Sequence, residues 1–225
     1  MNNFLILTIV MIVIFSVLII CGIVFVSIHF YINSYKKNKK GFEFEDKVCK
    51  EIKTHIKQTN LNWVNGGIYK SHKKTYEIDS ILISDSFLVV CEFKSYVGKI
   101  SGDIKSNNLF ISQTNSAKKK KISNIVAQNE THITNLETFL KNNLNYYSLI
   151  ILPDETEVVL QSLPGHVVII KFSEIQKTLL MFQEMNHQQI KTINKNLILQ
   201  KLNDLKITTT WEKIKYTRKI KENNG

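Results

Sequence analysis

Proline occurs twice in this chain and glycine eight times, which excludes collagen-like and proline-rich architectures. Cysteine occurs three times, at Cys21, Cys49 and Cys91, with no Cys-x-x-Cys pair. An odd, scattered set supports neither a disulfide framework nor a structural zinc site. Arg218 is the single arginine, so the basic character rests on lysine. No Gly-x-x-x-x-Gly-Lys loop and no nucleophile-elbow motif is present, which leaves ATP hydrolysis and Ser/His/Asp catalysis without a sequence basis. Between Phe4 and Ile32 there is no Asp, Glu, Lys or Arg at all.

What is there suits a folded protein. The 225 residues are 44% hydrophobic and 22% charged, which argues against disorder and for one domain with attachments. Thirty Lys and Arg against 19 Asp and Glu give a net charge of +11. That balance favours polyanionic partners, either nucleic acid or an anionic membrane face.

About 20 apolar residues span a bilayer, so the uncharged stretch 4–32 is long enough to cross one. The start Met1-Asn2-Asn3 has no basic side chain, and the apolar core is too long for a cleaved signal peptide. The expectation is a retained transmembrane helix. Lys36, Lys37, Lys39 and Lys40 follow directly, and positive flanks stay cytoplasmic. This predicts a single-pass protein of the cell membrane with its N-terminus outside and everything after Tyr35 in the cytoplasm. The expected division is an anchor (1–35), a basic linker (36–40), one α/β domain (41–205) and a basic, poorly periodic tail (206–225).

Within the domain, Phe44, Val48, Ile52 and Ile56 recur every fourth residue and predict a helix over 41–56. Residues 60–70, around Asn65-Gly66-Gly67, read as a short strand and turn. Tyr76–Ser84 and Phe87–Lys94, separated by Asp85-Ser86, read as a hairpin. Lys99–Ile104 and Leu109–Ser112 form a second, weaker pair. The run Lys118–Lys121 precedes a predicted helix over 122–140. Tyr147–Leu152 and Val167–Lys171 look like buried strands. A helix from Ser173 to Met181 and a last one over 188–205 complete the order.

The first hairpin permits a geometric argument. A two-residue loop at Asp85-Ser86 places Asp79 opposite Glu92 and Glu77 opposite Lys94. Opposed residues share a face, with Cβ atoms about 4.5–5.5 Å apart. Two carboxylates at that distance repel unless a cation lies between them. Mg²⁺, commonly held by one or two carboxylates with water and phosphate oxygens, is the natural occupant. Lys94 adds a charge able to meet a phosphate or hold an attacking water, so phosphodiester hydrolysis fits the chemistry. A salt-bridged strand end is the plain alternative. The acid-x-Lys pattern alone decides nothing, because it occurs five times in the chain.

The chain resembles the NERD (nuclease-related domain) family of the PD-(D/E)xK, restriction-endonuclease-like superfamily, over roughly Gly41 to Phe139. Gly41-Phe42-Glu43-Phe44-Glu45 represents the opening Gly-x-x-Gly-Glu pattern, with Phe44 in place of the second glycine. Residues 76–83 resemble the segment with the first metal-binding acid. Residues 89–102 resemble the Glu-x-Lys strand and the glycine-containing turn after it. Asn124-Ile125-Val126-Ala127-Gln128, followed by His132 and Leu136, resembles the Asn-Pro-x-x-Gln helix, with Ile125 where proline is usual. The resemblance implies an α/β, restriction-endonuclease-like core, a mixed sheet flanked by helices, here preceded by one transmembrane helix. It implies that Asp79 and Glu92 hold Mg²⁺ (or Mn²⁺), together with the Phe93 carbonyl. Lys94 would activate water, Glu45 would support the ligands, and Gln128 would reach the lysine, the water or a phosphate.

Two readings of function stay open. One is a membrane-anchored, metal-dependent nuclease acting on nucleic acid, DNA ahead of RNA. The other is an inactive membrane-tethered module that binds nucleic acid or protein. Lys118, Lys119, Lys120 and Lys121 are candidates for gripping a phosphate backbone, against the alternative of a solvated loop. His132, one helical turn after Gln128, could face the site or be an ordinary satisfied or solvent-facing histidine. For Trp63, Tyr69 and Tyr96, core packing is the expectation over base stacking.

Overall fold

A computed structural model describes residues 2–71, 74–113, 118–140, 144–190 and 193–209, with side chains left out at 2–10, 12–14, 16–18, 30–38, 71 and 74. The chain divides into two units, Met1–Glu43 and Phe44–Gly225. Helix α1 (Asn2–His55) supplies the described residues of the first unit and the opening of the second. Among the described residues no helix is long and apolar enough to cross a membrane. Most of the expected span over 4–32, however, concerns side chains outside the described set.

The second unit carries two sheets. The first has the order β1 (Asn62–Ser71), β2 (Lys74–Ile83), β3 (Phe87–Phe93), β7 (Asn145–Leu152), β9 (Val167–Lys171). Its first three strands are antiparallel neighbours, whereas β3–β7 and β7–β9 pair in parallel. The second sheet has the order β6 (Lys119–Ser123), β5 (Asn108–Ser112), β4 (Gly98–Asp103), β8 (Thr156–Gln161). Helices α2 (Ile125–Leu140), α3 (Ile175–Gln188) and α4 (Lys195–Leu205) complete the unit. This is the expected mixed α/β layering.

Burial explains the strand order. Every residue of β3 is buried, as a strand needs when both its faces and both its edges are covered. Leu88 and Val90 join a core with Ile133 and Leu136 of α2 and with Ile198 and Leu202 of α4. Val89 and Cys91 point the other way, into a core with Val48 and Ile52 of α1 and Leu179 and Phe182 of α3. A third cluster joins Ile100, Leu109 and Ile122 of the second sheet to Ile125 of α2 and Ile150 of β7.

The hairpin register is as expected: Ser80 opposes Cys91, Ile81 opposes Val90, Leu82 opposes Val89 and Ile83 opposes Leu88. Ser84 closes the loop, donating from both N–H and Oγ to the Phe87 carbonyl (3.0 and 2.9 Å). Other expectations need correction. Asn65-Gly66-Gly67 is not a turn but the middle of β1, where a Cβ on Gly66 would collide with the Asp79 carbonyl. Lys119–Lys121 form an edge strand rather than a loop, and the following helix begins at Ile125 rather than 122. The helix expected to end at Met181 runs on to Gln188 as α3, and the last helix starts at Lys195 rather than 188, behind Asn194, whose side chain accepts the Leu197 N–H. Ser173 caps nothing; its N–H is taken by Asp154. β8 had no counterpart in the sequence reading. The tail starts bound, since Ile207 N–H donates to the Ile68 carbonyl at 2.8 Å. Residues 210–225 lie outside the described set.

Candidate active site

β2 and β3 stop pairing after Ser80 and Cys91. One step further, the Asp79 carboxylate takes over the work of the ladder: Oδ2 accepts the Phe93 N–H at 2.6 Å. β3 then continues along β7 alone, and the Lys94 N–H donates to the Ile151 carbonyl. The point where the strands part is thus lined by Asp79 on one and Glu92 on the other. Side-chain parity also changes there. Ile81 and Ile83 share one apolar cluster with Tyr76 and Ile78, so strict alternation does not carry through Asp79 and Ser80. Glu77 is accordingly exposed, and among the described residues Lys94 pairs with Glu92 rather than with Glu77.

The Glu92 side chain is 2% exposed and has three polar neighbours. Lys94 Nζ stands 2.6 Å from Oε1, and the Gln128 amide donates to the same oxygen at 2.8 Å. His132 Nε2 lies 3.5 Å from Oε2, too far for a directed hydrogen bond. Both ring nitrogens of His132 are buried without a hydrogen-bond partner. Gln128 and His132 sit one turn apart on α2 and so face the same way. The sequence raised this placement for His132 without favouring it.

The entry of α2 explains the Asn124 signature. Its Oδ1 accepts from the N–H groups of Val126 (3.0 Å) and Ala127 (3.2 Å), an N-cap. Its Nδ2 donates to the carbonyls of Ile104 and Ser106, both at 2.7 Å. Ile125 occupies the first helical position, where proline is favoured but not required. Phe44, in place of glycine, lies inside continuous α1 and packs at 6.4 Å from the Phe172 ring.

The electrostatics follow from burial and crowding. Burial, then the neighbouring Glu92 charge, push the Asp79 carboxyl well above its usual range, against the pull of the Phe93 N–H. Burial alone would raise Glu92 as well, but His132 and the Lys94 ammonium outweigh it and hold this carboxylate low. Lys94 is raised in turn: Glu92 and Asp79 overcome a burial effect that would lower it. Glu45 on α1 is raised by burial and by the charges of Glu77 and Glu92. It therefore belongs to the same electrostatic neighbourhood, although no hydrogen bond or ion pair joins it to the others among the described residues.

The structure thus brings together Asp79, Glu92, Lys94 and Gln128, adds His132, and places Glu45 nearby. Residues 40–153 match the nuclease-related domain family, NERD. The chain belongs to this family. No curated protein and no solved structure matches it. The NERD match ends just after β7, the strand that completes the flank of β3.

Lys119, Lys120 and Lys121 are exposed on β6, and Lys118 is exposed just before it. They lie outside the carboxylate cluster but on the segment leading into α2 of the NERD domain. Of the weighed aromatics, Tyr69 is fully buried and Trp63 packs under Lys53 Nζ at 4.7 Å. Among the described residues no group of three or more His, Cys, Asp or Glu side chains is placed to hold a metal ion.

Proposed function

We propose that this NERD protein is a membrane-anchored, divalent-metal-dependent phosphodiesterase acting on nucleic acid, DNA ahead of RNA, with its second unit in the cytoplasm. The observation that carries the reading is Glu92: a buried carboxylate holding Lys94 at 2.6 Å and Gln128 at 2.8 Å, beside the raised carboxyl of Asp79. Structural salt bridges do not require a second acid pressed against the pair at a strand parting.

The donor set fits a hard cation. Two carboxylates in mutual repulsion supply oxygen ligands of the kind Mg²⁺ or Mn²⁺ takes, with water and phosphate oxygens filling the remaining positions. Asp79 and Glu92 would hold the ion, and Glu45 would add negative charge from α1. When bound, such an ion lowers the pKa of coordinated water and offsets charge on a phosphoryl group. Lys94 would place its ammonium against the attacking oxygen or the phosphate, where charge grows in the transition state. Gln128 would hold the Glu92 carboxylate in its rotamer and orient it. The lysines at 118–121 would grip the phosphate backbone.

The anchor rests on α1. Met11, Phe15, Ile20, Ile23 and Phe25 are each at least 59% exposed, and a helix apolar all round suits lipid rather than water. Lys36, Lys37, Lys39 and Lys40 would keep the following unit on the inside.

The test is cleavage of plasmid and of single-stranded DNA by the full-length protein in detergent, with Mg²⁺ or Mn²⁺ and with EDTA. Metal-dependent cleavage abolished by Asp79→Ala and by Lys94→Ala supports the reading. Cleavage unchanged in both variants sinks this site. One observation favours a non-catalytic binding module instead: Glu92 Oε1 already serves both Lys94 and Gln128, and among the described residues no group of three or more His, Cys, Asp or Glu is placed to hold an ion. Salt-sensitive DNA binding with no cleavage under any divalent ion would decide for that reading.

A further inference from the structure

The second sheet has one face in the core and one in water. Ile100, Leu109 and Ile122 point inward and are buried. Alternation turns Lys99, Ser101, Phe110, Ser112, Lys119 and Lys121 to the other face. The pairing makes them a contiguous field: Phe110 opposes Ser101 on one side and Lys121 on the other, and Ser112 opposes Lys99 and Lys119.

Phe110 is 42% exposed at the centre of this field. It makes no ring stacking or cation–π contact among the described residues. Val159, in the next strand beyond Ser101, is 46% exposed and widens the apolar spot. Lys121 lies directly across from Phe110, about 5 Å away at Cβ. Lys119 is two residues along, roughly 7 Å further on the same face. Lys99 is already neutralised by Glu157 at 2.8 Å, so the free positive charge gathers on the β6 side.

We propose that this face, centred on Phe110 with Lys119 and Lys121 beside it, docks single-stranded nucleic acid. The proposal deepens the nucleic-acid reading above and rests on it. An open sheet with an accessible ring and adjoining ammonium groups offers a base something to stack on and its phosphates something to meet. A duplex keeps its bases stacked inside and gives the ring nothing. Lysines on an edge strand also discourage pairing with another chain, but that role gives no account of Phe110. The platform is tied to the site by sequence: β6 runs through Asn124 into α2, which carries Gln128.

The experiment uses the full-length protein in detergent with EDTA, so that binding is read without metal-dependent cleavage. Fluorescence anisotropy compares a labelled oligothymidylate with the matching duplex. The single strand binds more tightly. Phe110→Ala weakens it by about tenfold or more and leaves the duplex unchanged, whereas Phe110→Trp retains affinity, which separates stacking from a folding defect. Lys119→Gln and Lys121→Gln each lower the slope of log affinity against log salt by about 0.7. Single-strand affinity indifferent to Phe110→Ala overturns the platform. If cleavage persists in that case, the nuclease reading stands without it. Phe110-dependent binding with no cleavage under any divalent ion keeps the platform and removes the nuclease reading. Absence of binding to either probe at low salt overturns both.

Discussion

Asp79 and Phe93 are joined by a 2.6 Å hydrogen bond from the Phe93 N–H to the Asp79 carboxylate, at the place where β2 and β3 cease to pair. A side chain stands where a backbone carbonyl would otherwise serve. The same bond fixes the direction of a carboxylate that burial and the Glu92 charge make reluctant to ionise.

This carboxylate therefore works against the metal-free fold. Its pKa is higher folded than unfolded, so the native state binds more protons above the ordinary value of 3.8. Stability is lost as pH rises through the window up to the raised value. Asp79→Asn is expected to raise the melting temperature at pH 7 without divalent ion by a few degrees, about the response to 1 kcal/mol in a chain of this size. The same variant is expected to lose metal-dependent cleavage and the stabilisation by Mn²⁺ that the proposed site predicts for the wild type. Differential scanning fluorimetry with and without the ion checks both.

Lys94→Ala has the opposite sign. It leaves Glu92 buried with the Gln128 amide as its remaining direct donor, and breaking a buried pair from one side costs about 3–5 kcal/mol. With Lys94 24% exposed, the low end is expected. Because Glu92 is held low, its contribution is present above the ordinary value of 4.5 and lost as pH falls through the folded value. The double variant Glu92→Gln, Lys94→Met is expected to recover most of the loss. Urea melts of the single and double variants, taken at pH 7 and in acid, test this.

Gly66→Ala tests the support behind Asp79. The added methyl meets the Asp79 carbonyl, a backbone atom inside a paired strand that cannot swing aside. Overpacking of this kind costs about 1–3 kcal/mol. Catalysis is expected to fall further than stability predicts, because the displaced atom belongs to a candidate ligand. Comparing the urea midpoint with the cleavage rate separates the two effects.

Asn124→Ala removes the cap of α2 and the bonds to the Ile104 and Ser106 carbonyls. Loss of an N-cap alone costs about 1 kcal/mol, and loss of the part-buried bonds to the two carbonyls adds to it. Asn124→Asp keeps the cap but sets an acid against those carbonyls, so it is expected to be no better than alanine at neutral pH. Chemical denaturation of both variants gives the order.

The hairpin at Asp85-Ser86 was legible because loop length fixes register, which holds as far as Ser80 opposite Cys91; Asp79 and Glu92 lie one step past the last pair, where the Glu92 charge still acts on Asp79. The pairing of Glu77 with Lys94 was not, because it extrapolated alternation past Asp79, where the strands separate and parity changes. Gly66 reads as a turn in sequence, since glycine marks turns and close backbone approach alike; the approach of Asp79 settles which. Lys119–Lys121 carry no apolar alternation, so an edge strand made of them has no periodic signal. His132 could be placed on the right helix face, but its distance from Glu92 depends on tertiary packing. Phe110 passed unremarked because one exposed aromatic in a short strand looks like any other.

The parallel union of β3 with β7 has a consequence for synthesis. Phe87 to Phe93 find one neighbour immediately, but the other is Asn145 to Ile151. A nascent chain that has not yet released those later residues from the ribosome carries Glu92 and Lys94 on a ribbon open along one side, with the Lys94 amide unmatched. Translation must run almost sixty residues past the lysine before its strand is enclosed.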